Sequence, residues 1–360
     1  MRQRIPQLDA VRGIAILVVM VHNASHSLTT LPLQSVWAYG WMGVDLFFVL
    51  SGFLITGILF DTKRSERYFK NFYARRCLRI WPLYYAVLLL MFVAIPFVLP
   101  AIRSDVLARS SPWWSYLFYL QNFLVRSSTG AVGPLGATWS LAIEEQFYLV
   151  WAVVVRFCSY AQLRRIAFGV ICISPVVRVA CLLHHVDLYT NVFCRLDGLM
   201  AGGLLALVVR SQTFEPMRFL KIAWFLLIAA LALAVVTETL QLRWMTYSLS
   251  TVACASLVYL ALFSRQRWFQ KVMRNQFLIY TGIISYGLYL LHKLPFDAEV
   301  VFKLGTHPVV ALLMGLLVSY LLATASWFLF EKPFLKFKRF FESSSAQGRD
   351  SKRQFAPATP

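Results

Sequence analysis

Arg12 and His22 bracket nine residues, GIAILVVMV, without one polar side chain among them. An ionisable group in such a run is costly in hydrocarbon and usually faces a bundle interior or an aqueous path. Asp45, Glu144, Glu145, Arg195, Asp197 and His292 likewise fall in long apolar stretches. A neutral imidazole whose other nitrogen is fixed by a carboxylate or carbonyl suits proton abstraction from a hydroxyl, worth about 10² to 10⁴ in rate. His22 is therefore the candidate base, with Asp45 or Glu144 as its orienting carboxylate. His292 is the candidate to hold an acceptor or stabilise a carbonyl oxygen as charge develops. Competing structural roles are Asp45 on a backbone donor, Glu144 paired with Arg195, and Arg195 with Asp197 as a packing network. Glu145 and Glu144 are adjacent on a helix and cannot point the same way. His26 reads as an exposed helix end, and His184, His185 and His307 as solvated.

The elements that must position these groups are membrane helices. The 360 residues are 59% hydrophobic and 14% charged, with mean hydropathy +0.63, more apolar surface than a soluble core of this size can hide. Eleven Trp and sixteen Tyr suit two interfacial belts. The pattern predicts an all-α integral membrane protein with ten spans near 8–27, 38–60, 80–100, 138–156, 166–183, 191–209, 222–239, 244–263, 276–292 and 307–330. The segment 112–125 is apolar but short, and reads as an interfacial or re-entrant helix held by Trp113 and Trp114. Residues 1–340 form the membrane domain and 341–360 a disordered cytoplasmic tail. Nothing at the N-terminus looks like a cleaved signal.

The net charge of +19 suggests nucleic acid at first sight, yet the basic residues cluster in short linkers, which argues against that partner. The linkers at 61–79, Arg164–Arg165, Arg210–Lys221, Arg265–Arg274 and Lys332–Arg339 fall on one side if both termini are cytoplasmic. Six cysteines lack metal spacing and read as small buried hydrophobes, and no metal is expected. Counted by depth, His22, Asp45, Glu144, Glu145, Arg195, Asp197 and His292 come out in the outer half. They predict a shared cavity open to the outside. Arg12 lies at the inner end, level with the basic 61–79 linker, where arginines can bind phosphate bidentately. The expectation is thus two chemical ends: an anion-binding inner mouth and an outer pocket of histidine and carboxylate.

Six motifs carry a resemblance: LDAVRGIAILVVMVH (8–22), GWMGVDLFFVLSGFLITGIL (40–59), FYARRCLRIWPLYY (72–85), TWSLAIEEQFYLVWAV (138–153), CRLDGLMAGGLLA (194–206) and SYGLYLLHKLP (285–295). Together they resemble the membrane-bound acyltransferase 3 family, O-acyltransferases that decorate bacterial surface polysaccharides, from residue 8 to about 334. The resemblance implies transfer of an acyl group, usually acetyl, from cytoplasmic acyl-CoA to a hydroxyl on the other face. It implies a bacterial inner-membrane location, and a glycan or lipid-linked saccharide as acceptor. By resemblance, Arg12, Arg75, Arg76, Arg79 and Ser51 serve the donor, and His22, Asp45, Glu144 and His292 the chemistry. The interval from Arg12 to His22 is one residue shorter than is common in the family. One residue is about 100° of helix rotation, so the expectation is that His22 lines the path and Arg12 need not. Some family members append an extracytoplasmic esterase-like domain, for which the sequence after residue 340 offers no room.

Direct transfer and relay through an acyl-enzyme both fit this reading, with His22 or Ser51 as carrier. Ser51 reads more simply as packing beside Gly52 at a helix contact. A proton-coupled exporter of a sugar or glycan precursor is the alternative from another class; it lacks an inverted repeat. An inactive scaffold is a third reading, opposed by the intact His22, Asp45 and Glu144.

Overall fold

The computed structural model describes residues 4–24, 39–98, 110–124, 133–296 and 308–341. His26, His307 and the tail after residue 341 lie outside them. The described residues form helices and short turns. Those that build the site are α1 (Pro6–Ala24), α2 (Met42–Asp61), α3 (Tyr68–Leu89), the short α4 (Trp113–Leu117) and α5 (Thr138–Phe157). They are followed by α6 (Tyr160–Leu183), α7 (Val192–Val209), α8 (Leu220–Thr239) and α9 (Arg243–Phe263). The chain then runs through α10 (Arg267–Met273), α11 (Gln276–Ile283), α12 (Ser285–Leu291), α13 (Pro308–Ser326) and α14 (Lys332–Lys336).

Among the described residues eight helices are long and apolar enough to cross a membrane, nine if the α11–α12 pair, bent by 62°, is one span. The tenth expected span is α5. It forms as a 20-residue helix, but Glu144, Glu145 and Arg156 lower its apolar character, and it holds its place by packing inside the bundle. The helices separate into two sets. Of the apolar window of α2, 72% is buried, against 17% for α6 and 22% for α8. The exposed surface of α8 and α13 is a run of large apolar side chains, among them Phe225, Ile228, Leu317 and Leu321. Such surface belongs against lipid.

The inner helices pack closely because glycine removes the side chain where backbones meet. A Cβ on Gly202 of α7 would stand 1.9 Å from the Val49 carbonyl oxygen of α2, and one on Gly52 would stand 1.8 Å from that of Leu199. Small residues at membrane helix contacts allow this approach. Local chemistry fixes the ends. Pro6 opens α1, where its missing N–H costs nothing. Ser159 and Gln162 close a reciprocal cap on α6.

One boundary differs from expectation in a way that matters. The basic stretch expected as a linker up to Arg79 is helical from Tyr68. Arg79 therefore lies eleven residues, about 16 Å, into α3.

Candidate functional site

Helices α1, α2, α3, α5 and α12 enclose a cavity of about 110 Å³. Ordinary small-molecule sites run to roughly 300–1,000 Å³, so it has room for an acyl group or the tip of a flexible arm and none for a nucleotide. Its apolar wall is largely α2, with Phe47, Phe48, Leu54 and Ile55. Arg12, Arg76 and Arg79 enter from α1 and α3, Glu144 and Tyr148 from α5, and Ser51 from α2.

The polar groups form a line. The Tyr148 hydroxyl donates to Glu144 Oε2 at 2.9 Å, and Ser51 Oγ lies 2.5 Å from that hydroxyl, so Ser51 is placed to donate to Tyr148. Glu144 and Tyr148 meet because positions four apart share a helix face. Glu145 turns away and accepts from Trp81 Nε1 at 3.4 Å. On α12, Ser140 of α5 reaches the Tyr289 hydroxyl at 2.5 Å, and Tyr286 donates to the Ile80 carbonyl at 2.6 Å.

The arginines are less satisfied. Arg12 donates to Asp9 Oδ1 at 2.9 Å, and Asp9 also accepts from Arg4 at 2.5 Å. Arg75 donates through Nε to the Asn71 carbonyl at 3.0 Å. Arg76 lies over the rings of Phe72 and Tyr148 at 5.8 and 5.7 Å, and its buried Nε has no hydrogen-bond partner. Among the described residues no carboxylate stands within ion-pair distance of Arg76 or Arg79. A guanidinium left without an acceptor in such a site is costly unless an anion completes it.

The expected division into two chemical ends does not describe Glu144, which joins the arginines in one cavity. The lengthening of α3 is the cause, since it carries Arg76 and Arg79 inward to the level of Glu144. Arg12, which the helix rotation did not require to line the path, lines this cavity, and His22 is not among its lining residues. Ten residues separate them on α1, or about 15 Å along its axis. His22 is half-buried where α1 ends. A Cβ on Gly40 would stand 2.5 Å from the His22 Cβ, so the turn at Tyr39–Trp41 can close over it. Ser51, expected at a helix contact, faces the cavity, while Gly52 beside it meets Leu199 of α7.

Asp45 orients neither His22 nor the cavity groups. It is an acceptor for Arg195 Nη2, with both side chains buried. Asp197 takes Arg178, so Arg195 and Asp197 lie in one buried network, as expected, each paired with another residue, and the alternative pairing of Glu144 with Arg195 is not formed. The Arg195 guanidinium sits 4.3 Å from the Tyr247 ring centroid and within 6 Å of the rings of Trp41, Phe48, Trp139 and Tyr189. Phe48 borders both this network and the cavity.

His292 is fully buried. Its Nδ1 lies 2.9 Å from the Tyr289 carbonyl oxygen and 3.1 Å from that of Leu288. Two acceptors there require the proton on Nδ1, which leaves Nε2 as a lone pair. Nε2 has no partner among the described residues. It can accept from a hydroxyl, and in this tautomer it cannot donate to a carbonyl oxygen. His184 and His185 are exposed. Among the described residues no group of three or more His, Cys, Asp and Glu side chains is placed to hold a metal ion.

Sequence reading missed Tyr148, Tyr286 and Tyr289 at the cavity and Arg178 in the network. Arg178 had a signal, an arginine inside an apolar run; Tyr148 had the spacing of four from Glu144.

Comparison with known proteins gives the same direction. A family model described as an acyltransferase domain matches residues 5–331. Peptidoglycan O-acetyltransferase OatA of Listeria monocytogenes is 30% identical over 318 residues, 81% of this chain and 49% of that protein. The putative peptidoglycan O-acetyltransferase YrhL of Bacillus subtilis is 27% identical over 361 residues, 91% and 54% of the two chains. O-acetyltransferase OatA of Staphylococcus aureus is 27% identical over 363 residues, 93% and 58%. The chain thus spans about half the length of these curated relatives. No solved structure matches it significantly.

Proposed function

The chain belongs to the acyltransferase family, and on that premise we propose that it is a multi-pass O-acyltransferase of the bacterial cytoplasmic membrane with both termini inside. It moves an acyl group, acetyl first among them, from acyl-CoA to a hydroxyl of an extracytoplasmic glycan or lipid-linked saccharide. The names of the relatives, O-acetyltransferases of peptidoglycan in two cases, support that acceptor class. The observation that carries the reading is the cavity in which Arg76 and Arg79, without a carboxylate at ion-pair distance among the described residues, meet the Glu144–Tyr148–Ser51 line.

The donor's phosphates stay at Arg12, Arg76 and Arg79, and its flexible arm carries the thioester inward past Ser51. The acceptor oxygen attacks the carbonyl carbon, forming the ester C–O bond. His22 takes the hydroxyl proton, the C–S bond breaks, and the proton returns to the leaving thiolate. His292 accepts a hydrogen bond from the acceptor through Nε2. Glu144, held by Tyr148, offsets the arginine charge beside the arm, and Asp45 acts at a distance by fixing Arg195 against Phe48.

Purified protein in nanodiscs, given acetyl-labelled CoA and a muropeptide acceptor, is expected to label the acceptor, and His22→Ala to lower the rate by about 10² or more. No transfer by the wild type would overturn the function. Transfer that survives in His22→Ala and is lost in Glu144→Gln would move the base to Glu144.

A further inference from the structure

The C-terminal end of the membrane domain folds back onto the arginine helix. Both α14 and the turn Phe337–Phe341 pack against α3, which brings the half-buried Lys338 within electrostatic reach of Arg79, Arg76, Arg75 and Arg12. Its neighbours Lys336 and Arg339 are exposed. Five cations from three distant parts of the chain therefore converge, three of them lining the cavity.

Glu144 faces Arg12, Arg76 and Arg79 across the cavity without forming an ion pair among the described residues. Asp9 is shared between Arg4 and Arg12. Glu331 is buried and accepts from Ser326 Oγ at 3.2 Å. Among the described residues no carboxylate lies within ion-pair distance of Lys338. Like charges three and four apart on one helix, such as Arg75, Arg76 and Arg79, already repel, and a fifth cation folded over them makes the arrangement worse unless a polyanion belongs there. The buried Arg76 Nε has no acceptor among the described residues. The cavity is too small for a nucleotide, so a donor's phosphates must be held beside it, and Lys338 packs on the helix that carries Arg76 and Arg79.

We propose that Lys338 closes a polyphosphate clamp with Arg12, Arg75, Arg76 and Arg79, and that the clamp takes the nucleotide end of the donor, a ribose carrying both a 3′-phosphate and a 5′-diphosphate. This inference rests on the acyl-CoA reading above. It assigns to the segment after α13 a binding role: the C-terminal turn lays a cation across phosphates that the arginines hold from the other side. The shared chemistry is phosphate, and an anionic lipid headgroup is the other source of it at a membrane surface.

The test is binding of adenosine 3′,5′-bisphosphate to the full chain in phosphatidylcholine nanodiscs, repeated in phosphatidylglycerol nanodiscs. Lys338→Gln is expected to weaken binding about tenfold, the loss of one charge-assisted contact, and to raise KM for acetyl-CoA with kcat held. Lys338→Arg should restore most of it, Lys336→Gln should leave it unchanged, and adenosine 5′-monophosphate should bind more weakly than the bisphosphate. Equal binding by Lys338→Gln and wild type would overturn the clamp. Loss of wild-type binding in phosphatidylglycerol would show that lipid headgroups hold the cations, and would overturn the nucleotide assignment. Bisphosphate binding without acyl transfer would sink the function and spare the clamp; transfer with a KM that Lys338→Gln leaves unmoved would sink the clamp alone.

Discussion

Two groups of buried charge lie on either side of Phe48, and they are built in opposite ways. In one, Asp45 meets Arg195 and Asp197 meets Arg178, with aromatic rings packed around Arg195. In the other, Arg76 and Arg79 face a cavity with no carboxylate at ion-pair distance among the described residues, and Glu144 accepts from a tyrosine. In the first group each guanidinium meets a carboxylate of the protein, although Asp45 Oδ2, Arg195 Nε and Arg178 Nη1 take no hydrogen bond among the described residues. In the second, the phosphates of the proposed donor would supply the missing anion. Since both lie in apolar surroundings, the difference lies in pairing, and pairing separates a structural network from a binding site.

The sharpest way to break the comparison is to remove one partner from the first group. Asp45→Ala leaves Arg195 buried without its carboxylate and is expected to cost about 3–5 kcal/mol, read as a lowered melting temperature and poor folded yield in detergent. The double variant Asp45→Leu with Arg195→Met should recover most of that loss, because replacing a whole buried pair by apolar groups is often neutral. A double variant no more stable than the single one would show that the network does more than hold the helices.

Removal from the second group should behave the other way. Arg76→Gln relieves an unpaired charge, so the melting temperature should hold or rise, while KM for the acyl donor rises about tenfold or more. The smallest expected effect is that of Tyr148→Phe, which removes the hydroxyl between Ser51 and Glu144. The loss of one hydroxyl contact should lower transfer several-fold, about 1 kcal/mol, with the helices still packed.

How far these groups were legible in the sequence follows from the same physics. The apolar runs fixed where most helices lie, and intramembrane charged residues flagged Arg12, Glu144 and Asp45 as worth attention, while Ser51 entered only through the family resemblance. The partners were not legible. Helix α2 is apolar on nearly every side, so hydropathy does not say which way Asp45 or Ser51 points; they prove to face different neighbours, Arg195 and Tyr148. The pair Asp45–Arg195 joins residues 150 positions apart, and that choice is set by the rotation of both helices. Depth failed at α3, where Arg75, Arg76 and Arg79 looked like linker residues and are helical. Lys338 read as an orientation signal only, because its approach to α3 depends on the chain folding back after α13.

The most direct test of the account is to measure thermal stability and donor KM together for Arg195→Gln and Arg76→Gln in the same nanodiscs. The account predicts a large fall in melting temperature for Arg195→Gln and none for Arg76→Gln, with the rise in KM confined to properly folded Arg76→Gln. An Arg76→Gln protein that melts early and, where folded, binds donor as tightly as the wild type would contradict it.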